Sequence, residues 1–128
     1  MAVSTTTQEN APLVTSIVTD TDSDLTVRQA AGAESTLYFV EITNPNSTQA
    51  VYVKLFAAAL SNSVNTATQH FMQFYCPADT TCYTYIPTGA VIANGICYYT
   101  SNEAGPAGSL TAPSEDVTVK IGSTPTGN

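Results

Sequence analysis

The fold class follows from residues 36–57, which read TLYFVEITNPNSTQAVYVKLFA. Two runs of apolar residues, 36–43 and 50–57, flank the turn-forming residues Asn44–Ser47. Both runs alternate between two faces, as side chains do along a β-strand. Because a short Asn/Pro segment between such runs is a turn signal, the pattern predicts an antiparallel hairpin over 36–57.

The rest of the chain has the same character. Thr and Ser make up a quarter of it, and charged residues only 10 %, against about 25 % in ordinary globular proteins. Such β-branched composition favours pleated strands. We expect turns at 19–24 and 87–89 and further strands at 13–18, 25–28, 68–76, 82–86, 91–92, 95–100 and 116–121.

These signals predict an all-β protein: a two-layer antiparallel β-sandwich of about eight short strands, with a jelly-roll or immunoglobulin-like strand order. A length of 128 residues fits a single domain spanning 1–128. Within it we expect an extended N-terminal arm at 1–12 and a flexible tail at 122–128, because both segments are polar.

Charge restricts the partners. The formal net charge is −7, with three Lys and Arg residues in all. Binding to nucleic acid or to an anionic membrane needs clustered cations, so we expect neither. The longest apolar stretch, 51–60, is interrupted by Lys54 and is too short to span a bilayer. The first twelve residues lack the features of a signal peptide, so we expect synthesis in the cytoplasm, or export by a route other than cleavable secretion.

Catalytic and metal-binding motifs are not evident. His70 is the sole histidine, and no nucleophile-elbow, P-loop or zinc-protease motif occurs. We therefore predict no enzyme, no catalytic residues and no cofactor. Asp20, Asp22 and Asp24 form a D-x-D-x-D run, but an EF-hand loop would need Gly at Leu25 and Glu further on. We expect a solvated acidic turn without metal; a calcium site of another kind stays open.

Cysteine usage is also uninformative about a disulfide framework, since the count of three is odd. Cys76 and Cys82 flank a turn-like segment, 77–81, and we expect them to face each other across a hairpin. Free thiols are the expected state, and a bridge in an oxidised sample is the alternative. Asn46 begins a glycosylation sequon that reads most simply as turn composition.

Apolar residues on both strand faces predict an interface. A sandwich exposed to water should have a polar outer face, yet Leu37, Phe39, Tyr52 and Phe56 lie opposite the expected core positions. We expect another subunit or a host surface to cover them. The alternative is that a long loop, 57–67, folds over this face.

The middle and end of the chain resemble small virion proteins of tailed bacteriophages, especially marine and cyanobacterial ones. The resemblance covers roughly residues 36–121 and rests on the order of several short segments. These segments are 37–46, 50–58, 87–89, 95–100, 105–108 and 112–119.

That resemblance implies a capsid decoration (cement) protein on the outer capsid surface, made in the host cytoplasm. The implied partners are the major capsid protein, other virion proteins and further copies in a dimer or trimer. Arm residues Val3, Thr5 and Thr7 would then add a strand to a partner's sheet. One alternative is a tail or fibre component whose tyrosines bind a receptor glycan, and another is a cellular adhesin. The tyrosines considered for that alternative are Tyr52, Tyr83, Tyr85, Tyr98 and Tyr99.

Overall fold

The structure, a computed structural model, describes residues 3–7, 14–105 and 110–126. Two antiparallel sheets face each other, with strand orders β1-β2-β9-β4-β7 and β3-β8-β5-β6, so the predicted all-β sandwich is confirmed. Apart from strands, the described residues contain one short 3₁₀ turn, Ser61–Ser63. The strands are β1 Val3–Thr7, β2 Ser16–Ser23, β3 Arg28–Ala31, β4 Ser35–Asn44, β5 Val51–Phe56, β6 Met72–Cys76, β7 Thr80–Ile92, β8 Ile96–Ser101 and β9 Val117–Pro125.

The strand pairing is that of one long hairpin rolled up on itself. Strand β2 pairs with β9, β3 with β8, β4 with β7, and β5 with β6. The hairpin is folded over so that β4 also pairs with β9 and β5 also pairs with β8. This wrapping is the jelly-roll arrangement. It decides between the two strand orders expected from the sequence, and β1 adds a fifth strand beside β2.

The core lies between the inner faces of the two sheets. Leu37, Ile42 and Ile121 fill it from the five-stranded sheet, and Val53 and Tyr98 from the other. Each fully buried aliphatic side chain of this kind stabilises the fold by about 1.5–3 kcal/mol. A continuous apolar layer of this size holds the sheets together without a disulfide or a metal.

The hairpin predicted over 36–57 is wrong, although both of its strands exist. Strand β4 belongs to one sheet and β5 to the other, so the segment between them crosses the sandwich. The Asn44 side chain explains the crossing, because its amide donates to the carbonyl of Gln49 at 2.9 Å and to that of Pro77 at 3.0 Å. The bond to Pro77 connects the segment to the residues that follow β6, whereas the hydrogen bonds of a hairpin turn lie within the turn.

Three segments expected to be turn or tail are strand. The predicted turn at 19–24 is mostly β2, because Asp20 points inward to a buried partner, Arg28. The predicted turn at 87–89 is an irregularity inside β7, where Gly89 takes φ +76° and Pro87 sits on a sheet edge that tolerates it. The predicted tail at 122–128 begins inside β9; residues 127–128 lie outside the described part.

The predicted arm is in part a strand of this chain's own sheet. Val3 lies opposite Asp20 and Thr7 opposite Ser16 in the pairing of β1 with β2. One edge of the segment is therefore taken by its own chain, and the side chains of Val3 and Thr5 are exposed. Residues 1–2 and 8–12 of the predicted arm lie outside the described residues.

Candidate functional site

The outer face of the five-stranded sheet carries three near-parallel aromatic rings, Phe39, Tyr83 and Tyr85, called here the tyrosine face. The rings of Phe39 and Tyr83 have centroids 5.4 Å apart and planes at 21°. Those of Tyr83 and Tyr85 are 6.4 Å apart, again at 21°. Tyr83 is 57 % exposed and Tyr85 46 % exposed. Such a row of ordered rings on a solvent face is a flat, rigid contact surface.

A β-bulge in β4 sets up this face. The register shifts between Leu37 and Phe39, so Leu37 points into the core together with Val40 while Phe39 points outward. The predicted interface role of Leu37 is therefore wrong, because simple alternation does not hold across a bulge. Phe39 is on the predicted outer face, but it lies flat over Gly122 and is itself largely buried.

Gly122 is needed for that packing. A Cβ atom built there would lie 2.0 Å from Phe39 Cε2, far inside van der Waals contact. The glycine thus creates the space in which the Phe39 ring lies beneath Tyr83. No pattern in the sequence pairs these two residues, since the contact depends on the β4–β9 register.

A shallow polar depression of about 220 Å³ continues the tyrosine face at one end. Thr43 and Thr81 lie directly opposite each other on β4 and β7 and both line it, with Asp79 behind them. Thr81 is two residues from Tyr83 on the same strand, so the two side chains share a face about 7 Å apart. Hydroxyl and carboxylate groups therefore border the exposed rings.

Strand β7 is an edge strand, since β4 is its only partner among the described strands. It has 13 residues, and none of them is charged. Natural sheets protect long edges with Lys, Pro, bulges or a covering loop. Within β7 these devices are Pro87 and the irregularity at Gly89, and residues 80–86 are an uncharged edge segment.

The outer face of the four-stranded sheet, by contrast, is covered by the chain itself around Phe56, although Tyr75 on the same sheet is 54 % exposed. Phe56 is 2 % exposed and stacks on Tyr99, with Val64 and Leu110 packed against the pair. The predicted interface role of Phe56 is wrong, because the alternative of a covering loop holds at this position. Tyr52 is half-buried beside Tyr75, with ring centroids 5.3 Å apart.

Lys54 fixes a second covering segment. Its side chain is 0 % exposed. The ammonium donates to Ser101 Oγ at 2.8 Å and to the carbonyls of Glu103 and Gly105 at 2.6 and 2.8 Å. All three donors are satisfied, and the ammonium also lies 5.3 Å from the centroid of the Tyr99 ring. Burial lowers the pKa of Lys54, and the nearby Glu103 opposes that shift.

The acidic run is a buried ion-pair cluster, and the predicted solvated turn is wrong. Asp20 is 0 % exposed and accepts from Arg28 Nη1 at 2.6 Å and from the Tyr98 hydroxyl at 2.8 Å. Arg28 also contacts Asp22 Oδ1 at 3.3 Å and Asp24 Oδ1 at 3.4 Å. Burial alone would lower the pKa of Arg28, but hydrogen bonding to Asp20 and the three carboxylates raise it. The carboxylate oxygens considered for the alternative of a calcium site therefore contact a guanidinium.

The remaining chemical candidates lie apart from the tyrosine face. Burial lowers the pKa of His70, and the positive charge of Lys54 lowers it further. In the described ranges, no group of three His, Cys, Asp or Glu side chains is placed to hold a metal ion. Nor does any described helix have the length and apolarity needed to cross a membrane.

Cys76, Cys97 and the sequon residue Asn46 are buried, whereas Cys82 is half-buried. Cys76, Cys82 and Cys97 are free thiols. Cys76 and Cys82 do face each other, with their side chains in contact, but no hairpin joins them, since β6 and β7 belong to different sheets. The Asn46 side chain is buried, where its Oδ1 accepts from Ser114 Oγ at 2.6 Å, so it is not presented for glycosylation.

Two of the five tyrosines considered for glycan binding, Tyr98 and Tyr99, are buried and drop out as surface residues. Three remain: Tyr83 and Tyr85, which lie together, and the half-buried Tyr52 on the other sheet. Comparison with known proteins finds no family model that matches the chain and no curated protein with significant sequence similarity. Function therefore has to be argued from the tyrosine face and the β7 edge.

Proposed function

We propose that this chain is a non-enzymatic structural protein of a virus particle, a decoration protein that binds at capsid subunit junctions and stabilises the shell. The feature that carries the proposal is the edge of β7. A neighbouring capsid protein would add a strand there, and main-chain hydrogen bonds would supply affinity without special side chains.

The β7 edge suits such a partner for two reasons. Residues 80–86 carry no charge, so a partner strand meets no desolvation cost from ionised side chains there. Thr84, in the middle of the segment, is exposed, so the edge is accessible. Several copies around a particle would multiply a modest contact at each site.

Fold and resemblance support the same role at a coarser level. Jelly rolls are common in viral capsid and lectin domains, although a fold alone does not assign a function. The bacteriophage resemblance rests on 36–121, the part of the chain that contains β4 to β8 and most of β9. Because the chain itself covers Phe56, this residue is no longer a reason to expect a partner. The edge of β7 is then the main reason to expect one.

The test is to block the β7 edge with a lysine. Thr84 is exposed and lies opposite Val40, on the core-facing side of the strand at the open edge of the sandwich, and the inward-pointing lysine of Thr84→Lys at such an edge opposes strand addition. Thr48→Lys, in the exposed turn after β4, changes the net charge equally and serves as the control. We expect particles to take up the control variant and not Thr84→Lys, and to lose heat resistance with the latter. Equal uptake and equal heat resistance for both variants contradict the edge role.

A second candidate is a tail or fibre component that binds a host receptor. The observation that favours it is the ordered, exposed pair Tyr83 and Tyr85. Binding of the isolated protein to host cells, with no effect on particle stability, would favour this candidate over decoration.

A further inference from the structure

We propose that the tyrosine face and the adjoining polar depression form a binding site for a neutral oligosaccharide. The rings of Tyr83 and Tyr85 would stack on the apolar faces of successive sugar rings, and Thr43, Thr81 and Asp79 would bond to sugar hydroxyls. This inference concerns the face of the sheet and not the β7 edge, so it stands independently of the decoration role.

The ring geometry supports stacking. The planes of Tyr83 and Tyr85 differ by 21°, and their neighbour Phe39 lies at 21° to Tyr83. Phe39 is held by its contact with Gly122, so the ring beside Tyr83 is fixed before any ligand arrives. A rigid aromatic side chain loses little conformational entropy on binding, which makes the face pre-organised.

The polar groups at the end of the row support a sugar over a purely apolar partner. Thr81 Oγ1 and Thr43 Oγ1 are 3.4 Å apart, and both residues line the depression together with Asp79. Hydroxyls both donate and accept, and a carboxylate accepts, so the three groups match the hydroxyls of a sugar. A ligand site typically combines an apolar surface with a few such placed polar groups.

The length of the row indicates more than one sugar. Tyr85, Tyr83 and Thr81 occupy alternate positions on one strand, so the row spans about 14 Å. That distance exceeds one sugar ring, and the depression extends it further at Asp79. The site therefore fits an oligosaccharide better than a monosaccharide.

Charge indicates a neutral sugar. Arg28 and Lys54 are both buried, which leaves Lys120 as the third of the chain's three cations. Lys120 lies opposite Glu41 in the β4–β9 register, and Glu41 lies opposite Tyr83 in the β4–β7 register. With Asp79 at the other end, the surface offers an anionic sugar more repulsion than attraction.

The experiment is calorimetric titration of the full chain with three neutral probes, maltoheptaose, cellohexaose and a galacto-oligosaccharide, and with sialyllactose as an acidic probe. We expect at least one neutral probe to bind and sialyllactose not to bind. No binding of any neutral probe at millimolar concentration overturns the proposal, and so does a preference for sialyllactose.

Variants locate the site. Tyr83→Ala and Tyr85→Ala should each weaken the affinity by about two- to tenfold, the value of one stacked ring, while Tyr83→Phe should retain most of it. Tyr75→Ala is the matched control, because Tyr75 is 54 % exposed but lies on the other sheet. Unchanged binding in both alanine variants, or equal loss in Tyr75→Ala, would overturn the assignment. Thr84→Lys should bind the sugar normally, which separates this outcome from the decoration test.

Discussion

Replacing Asp20 by Asn should cost more stability than any other single charge change in the protein. Asp20 lies in the interior and neutralises Arg28, which is itself 8 % exposed. Asn has the same shape but no charge: its Oδ1 can still accept from Arg28 Nη1 and the Tyr98 hydroxyl, which share one oxygen of Asp20, while its amide group replaces the oxygen that accepts from the Asp22 backbone N–H. The guanidinium then remains buried without its closest counter-ion.

The size of the effect follows from these contacts. Removing one partner of a buried ion pair costs about 3–5 kcal/mol, a large part of the roughly 5–15 kcal/mol that stabilises a typical domain. With a urea m-value of about 2 kcal/mol per M, the unfolding midpoint should fall by about 2 M. Tyr98→Phe removes one hydrogen bond from the same carboxylate and should cost about 1–2 kcal/mol.

Urea unfolding followed by circular dichroism measures both variants. Asp24→Asn is the control, because Asp24 reaches Arg28 at 3.4 Å from a half-exposed position. An exposed pair of that kind contributes about 0–1 kcal/mol. A loss below about 1 kcal/mol for Asp20→Asn, or a loss equal to that of Asp24→Asn, would refute the view that the cluster is a buried ion pair.

Three further predictions concern other buried groups. Burial and the neighbouring Cys82 thiol raise the pKa of Cys76 from 9.0 to about 12. Because the Cys76 thiol then loses its proton at lower pH in the unfolded chain than in the folded one, stability under reducing conditions should fall above pH 9 by about 1.4 kcal/mol per pH unit. Urea unfolding at several pH values measures this slope, and Cys76→Ala should flatten it. Gly122→Ala should destabilise the fold by about 1–3 kcal/mol, and a double variant with Phe39→Leu should recover part of the loss if the ring contact is the cause. Lys54→Met should change global stability little but increase hydrogen exchange at residues 103–105, and unchanged exchange would show that the ammonium does not hold that segment.

Much of the fold could be predicted from local patterns, but the pairing could not. Alternation and turn residues located most strands, because those signals depend on neighbouring residues. The predicted hairpin over 36–57 was wrong, since Asn44 bonds to Pro77, a residue far away in the sequence. The predicted tail was wrong for a similar reason: Gly122 is a strand residue because Phe39 packs on it.

The candidate site was predictable only in part. Phe39 and the exposed tyrosines of β7 are visible in the sequence as apolar residues on an outward face. Leu37 was misplaced by a bulge that no local pattern signals. The prediction of a solvated acidic run was wrong because the sequence does not reveal Arg28 as its counter-ion. That contact depends on the fold, in which β2 and β3 lie in different sheets and Asp20 points between them.

The central position of β9 has a consequence for biosynthesis. This strand follows all the other described strands in the sequence, yet it lies between β2 and β4 in the middle of its sheet. Until it emerges from the ribosome, β2 and β4 have no neighbour to join them, and the nascent chain leaves two bare edges that invite aggregation. The five-stranded sheet therefore cannot be completed before β9 has been synthesised, and a stop codon ahead of Val117 would leave β2 and β4 unpaired with each other.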